Sequence, residues 1–139
     1  MRRIVRLGSI AAGLICAAAL AGCTAVPGCA PGLERWTMSE LFLGLNWRQG
    51  VVTEAQFQDF VAREVTPRLP EGFSVIAAEG AWRSAQTGET IREPSRVLRR
   101  LHRSEPAQLA ALEAIATAYK TRFEQDAVLR VDAPVCAAF

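Results

Sequence analysis

Ser104-Glu105-Pro106-Ala107-Gln108-Leu109-Ala110-Ala111-Leu112-Glu113-Ala114-Ile115-Ala116-Thr117-Ala118-Tyr119-Lys120-Thr121-Arg122-Phe123 is the stretch that decides the fold. Ser104-Glu105-Pro106 reads as a helix start, because proline is tolerated in a first turn whose N–H groups have no intrahelical partner. Leu109, Leu112, Ile115, Ala116, Tyr119 and Phe123 then recur at helical spacing and mark one buried face. Working outward, Arg96–His102 before it and Val128–Val131 after it read as strands. Asp132-Ala133-Pro134 is expected to end the last strand, and Pro94 to interrupt pairing between Thr90–Glu93 and Arg96–His102.

Further upstream, Phe73–Trp82 reads as a strand that returns through a hairpin turn at Gln86-Thr87-Gly88-Glu89. Pro70-Glu71-Gly72 is a turn. Before it, Thr53 with Gln56 three positions on has the spacing of a capping box and opens a second helix. Phe57, Phe60, Val61 and Val65 share its apolar face, and Pro67 stops it. Asn46–Gly50 reads as a loop. The domain's first strand lies within Trp36–Leu45, where Gly44 permits a bend or a close backbone approach. The order is β-α-β-β-α-β. With right-handed crossovers this is an α+β, ferredoxin-like arrangement: an antiparallel four-stranded sheet with two helices on one face. The other face is left open, to be covered by a second copy of the chain, by the Val135–Phe139 tail or by a ligand.

The N-terminus carries a different message. Arg2, Arg3 and Arg6 precede the apolar run Ile10–Leu20, and no acidic residue occurs before Glu34. The run is shorter than the ~20 residues of a membrane span and suits a signal peptide, residues 1–22. Leu20-Ala21-Gly22-Cys23 follows and looks like a lipobox. Small residues admit the peptidase, and the Cys23 thiol accepts a diacylglycerol whose acyl chains, such as palmitate, anchor it. Ordinary secretory cleavage nearby and a single membrane span are the competing readings. Residues 23–35, with Pro27, Gly28, Pro31 and Gly32, form the tether, and residues 36–139 form one domain. The expected location is the cell envelope. Thr24 in place of Asp favours the outer membrane, facing the periplasm, in a Gram-negative cell.

Cleavage before Cys23 changes the charge. The precursor has 16 basic and 14 acidic residues; without Arg2, Arg3 and Arg6 the balance is 13 to 14. A net charge of −1 takes away the electrostatic support for nucleic-acid binding. Cys16 leaves with the signal, so Cys29 and Cys136 remain as a pair in an oxidising compartment. A structural disulfide is expected of them, with a redox-active pair as the alternative. The one histidine, His102, and the absence of any ligand cluster, Gly-rich phosphate loop or nucleophile elbow give no basis for a metal or a cofactor.

Glu40-Leu41-Phe42-Leu43-Gly44-Leu45, Val65-Thr66-Pro67-Arg68, Glu93-Pro94-Ser95-Arg96-Val97, Tyr119-Lys120-Thr121-Arg122-Phe123 and Val128–Cys136 occur in this order. Together they resemble the bacterial secreted and lipoprotein family called domain of unknown function 3574, over about residues 36–139. The resemblance implies no activity. Arg99 and Arg100 depart from the apolar run expected of their strand, and they argue against its burial.

Polar residues in ordered segments are the site candidates: Glu40, Arg83, Glu93, Arg130 and Asp132. Glu40, Arg130 and Asp132 fall on the first and last strands, which this fold makes neighbours, beside Trp36 or Trp82. They are candidates for a carboxylate base with an arginine anion holder, or for a solvated ion-pair cluster without chemistry. His102 is expected to be exposed at a strand end, with a general base as the alternative reading. Arg96, Arg99, Arg100 and Arg103 are expected to pair with Glu89, Glu93 and Glu105, or to meet anionic lipid or cell-wall polymer. The sequence favours a non-catalytic envelope module that binds a partner or ligand, with a small acid–base enzyme as the alternative.

Overall fold

A computed structural model of the chain describes residues 28–85 and 87–139; the signal peptide and Cys23 lie outside the described residues. Alternation drives the first strand. In β1 (Glu34–Gly44), Ser39, Leu41 and Leu43 point inward and are fully buried, while Met38, Glu40 and Phe42 point the other way. A small hairpin follows, β2 (Asn46–Trp47) with β3 (Gly50–Val51), where a loop is expected from the sequence. Gly50, at φ +119°, makes the reversal, and Trp47 sits edge-on to Phe123 at 5.7 Å, which pins the hairpin to the core.

Helix α1 (Glu54–Phe60) begins with the capping box read from the sequence. The Gln56 amide donates to Thr53 Oγ1, and the Thr53 amide donates to Gln56 Oε1 at 2.8 Å. It runs into a π-helical turn over Val61–Val65. β4 (Ser74–Arg83) and β5 (Thr90–His102) form the long hairpin, α2 (Pro106–Phe123) crosses back, and β6 (Leu129–Ala137) closes the sheet. The sheet order is β4-β5-β1-β6, antiparallel throughout, which is the ferredoxin-like α+β fold. Phe57, Phe60, Leu112, Ile115, Tyr119 and Phe123 pack on Leu41, Leu43 and Leu98 to make the core.

Three expectations about strands need correction. Pro94 does not interrupt β5, and it pairs in register with Glu79. A residue's N–H and C=O point to the same neighbouring strand, and the Pro94 carbonyl accepts from the Leu45 amide just where β1 has ended. Its missing N–H therefore costs no ladder bond. β6 does not stop at Asp132-Ala133-Pro134 but continues to Ala137, because an edge strand accommodates a proline. Nor do the arginines keep β5 out of the interior. Val97, Leu98, Arg100 and His102 are all buried, since β5 is a central strand with the helices on one face.

Candidate functional site

The inner face of the sheet divides into two halves. Leu41, Leu43 and Leu98 hold the apolar half; Ser39, Arg100 and His102, all buried, hold the other half. Register explains the grouping: Ser39 lies opposite Arg100 on one side and Asp132 on the other, so strand geometry alone puts them together. The Ser39 hydroxyl donates to Asp132 Oδ1 and lies 2.8 Å from His102 Nε2. His102 Nδ1 faces the Arg103 carbonyl at 2.7 Å. Arg130 closes the group, with Nε 3.0 Å from Asp132 Oδ2 and Nη1 directed at the Leu109 carbonyl of α2.

Ser39 has one proton. It goes to Asp132, and the Arg103 carbonyl, which can only accept, takes its bond from Nδ1. Burial acts to raise the Asp132 carboxyl, but the hydrogen bonds from Ser39 and Arg130 and the charges of Arg130 and His102 outweigh it. They hold the group below the usual carboxylate value. Ser, His and Asp meet here in the wrong order for a nucleophile. The serine stands between histidine and aspartate, and the histidine's other nitrogen is spent on backbone.

Arg100 anchors the same end. Its guanidinium donates to the Gly72 carbonyl, to Glu71 Oε2 and to Gln108 Oε1 at 2.8, 2.8 and 2.9 Å, while Nε is buried without a partner. Glu71 and Gln108 also line a cleft of about 300 Å³ with Trp36, Leu101, Arg103, Glu105 and Phe139. The Arg103 guanidinium lies 4.0 Å from the Trp36 ring, and Phe139 meets that ring edge-on at 5.1 Å.

The residues singled out in the sequence are dispersed. Arg130 and Asp132 meet on the inner face. Glu40 lies on the open face, opposite Arg99 in register, with its carboxylate 2.7 Å from that guanidinium. The three do not converge. Glu93 packs on Gly44, where a Cβ would stand 2.9 Å from its carboxylate, so the glycine provides close approach. Arg83 donates to the Gly88 carbonyl at 2.9 Å within the hairpin turn. Trp36 lies near the inner cluster's end of the sheet; Trp82, half-exposed, lies at the other. Cys29 and Cys136 are joined in a disulfide. Among the described residues, no group of three His, Cys, Asp or Glu side chains is placed to hold a metal ion.

His102 is buried rather than exposed, because it shares the inward parity of Leu98 and Arg100. The arginines pair otherwise than expected: Arg96 with Glu54, Arg99 with Glu40, Arg100 with Glu71 and Arg103 with Glu34. Ser39 was not among the sequence candidates, and Arg100 and His102 were weighed there only as part of a basic run and as an exposed side chain or base. The period-2 parity with Leu41 and Leu98 was the available signal.

Fold and site define a two-layer α+β domain with a polar, hydrogen-bonded cluster at one end of its sheet. The chain belongs to the family described as protein of unknown function (DUF3574), whose model matches residues 38–139. No curated protein matches it in sequence. Among solved structures, a phage SAM lyase in complex with S-methyl-5'-thioadenosine has a TM-score of 0.57 at 16% identity, covering 82% of this chain and 95% of its own. A phage SAM lyase in the apo state gives 0.54 at 16%, over 82% and 96%. CutA from Synechococcus elongatus PCC7942 gives 0.49 at 12%, over 75% and 80%. At these identities the likeness to the lyase is one of fold.

Proposed function

We propose that this chain is a lipoprotein of the cell envelope, anchored through Cys23, whose domain is a non-catalytic binding or interaction module. One observation carries the non-catalytic part: the candidate acid–base groups are already committed to one another. Asp132 is held ionised by Arg130 and Ser39. Glu40 is neutralised by Arg99 on the opposite face. A general base needs a free carboxylate facing a substrate.

The surfaces that support binding are apolar. Phe42, Ile76, Leu129 and Val131 lie on the open face, with Ile76, Leu129 and Val131 exposed. That face suits a protein partner or a second copy of the chain. The mature charge near neutrality speaks against nucleic acid.

The enzyme alternative draws on the fold shared with the phage SAM lyase. Native mass spectrometry of protein extracted from its own membranes tests both readings. The expected mass corresponds to cleavage before Cys23 plus acyl chains, and added S-methyl-5'-thioadenosine leaves the spectrum unchanged. Stoichiometric, saturable retention of that nucleoside would overturn the non-catalytic reading. An unlipidated mass would overturn the anchor.

A further inference from the structure

We propose that the end of the sheet bearing Leu33, Trp36, Arg103 and Phe139 rests in the interface of the membrane that holds the lipid. The proposal depends on the Cys23 anchor and adds to it a second, non-covalent contact. Two independent features support it, one of reach and one of surface.

The disulfide sets the reach. Cys136 lies opposite Arg35 near the start of β1, so the bridge fastens Cys29 to this end of the sheet. Only five residues, 24–28, then separate Cys23 from the bridged Cys29, a span of at most about 20 Å when fully extended. Without the bridge the tether would run to Glu34, where β1 begins, roughly twice as far. The strands span on the order of 30–40 Å. The end that carries the bridge is therefore kept within about 20 Å of the bilayer, while the hairpin end with Trp82 can stand clear of it.

The surface at this end has the composition of a membrane interface. Phe139 is 96% exposed and Leu33 41%. Phe139 stands edge-on to Trp36, and the Arg103 guanidinium lies over the indole ring. Aromatic rings with a cationic head beside them suit the headgroup level, with apolar parts entering the acyl boundary by about 5–10 Å. Arg103 is ion-paired with Glu34, so its own charge is offset. The contact is thus by apolar insertion and does not need anionic headgroups.

The test uses the full lipidated chain in phosphatidylcholine vesicles with brominated acyl chains, which quench tryptophan at short range. One variant combines Trp47→Phe and Trp82→Phe, leaving Trp36 as the reporter; another combines Trp36→Phe and Trp47→Phe, leaving Trp82. The expected result is about a twofold loss of Trp36 emission relative to unbrominated vesicles, with Trp82 unchanged. Adding Leu33→Ser and Phe139→Ser to the first variant, both at exposed positions, should abolish most of that loss while the protein still floats with the vesicles. Flotation with Trp36 unquenched, or with Trp82 quenched equally, would overturn the contact and leave the anchor standing. Failure to float at all would overturn the anchor, and this proposal with it.

Discussion

Ser39 holds the inner polar group together with a single hydroxyl, and its removal has unequal consequences for its two partners. In Ser39→Ala, Asp132 keeps Arg130, but His102 Nε2 is left without a partner at a position 1% exposed. An unmade bond at such a site costs about 1–3 kcal/mol, to be read as a shift of the urea midpoint at unchanged slope. Asp132 sets the pH dependence. Its carboxyl is lower in the folded chain than in the unfolded one, so the folded state binds the proton less well. Its contribution to stability is therefore present above the unfolded value near 3.9 and is lost as pH falls through the folded one. Unfolding midpoints measured from pH 6 downward should fall more steeply for the native chain than for Asp132→Asn. Parallel curves would show that the group contributes nothing.

Among the elements, β5 carries the least expected burial. The charge of Arg100 meets Glu71, whose side chain is 74% exposed, and that pair is weak because water screens it. Its stem and its bonds to Gly72 and Gln108 matter more. Arg100→Ala should cost about 3 kcal/mol and Arg100→Met about 1–2, since methionine refills the space of the stem. Equal losses would mean that charge, not packing, dominates. In α1, Thr53→Ala removes one half of the capping box, and about 1 kcal/mol of stability should go with it. Thermal unfolding of that variant by circular dichroism measures it.

At the scale of the molecule, the bridge between Cys29 and Cys136 closes the chain over a separation of 107 residues and so restrains nearly the whole unfolded domain. By the chain-entropy argument its loss costs about 4–5 kcal/mol, and Cys29→Ser with Cys136→Ser together should show that loss in denaturant unfolding. The fold shared with the phage lyase says nothing by itself about chemistry, which depends on the side chains that a scaffold carries.

Periodicity and punctuation determined much of this protein. The spacing from Leu109 to Phe123, the Thr53–Gln56 box, the turns at Gly72 and Gly88 and the apolar run from Leu41 to Leu45 were local signals. They sufficed for two helices and a four-stranded sheet in the right order, and for the placement of Arg130 and Asp132 on one face. Tertiary structure decided the rest. Pro94 stays in β5 because β1 has already ended beside it, and β6 runs on through Pro134 because it is an edge. Neither fact is local to the proline. His102 and Arg100 are buried, and Glu40 is parted from Asp132, because strand pairing fixes which residues face one another and which face of the sheet the helices cover. A sequence displays the period of its side chains, but only the paired and covered sheet gives each half of that period an inside and an outside.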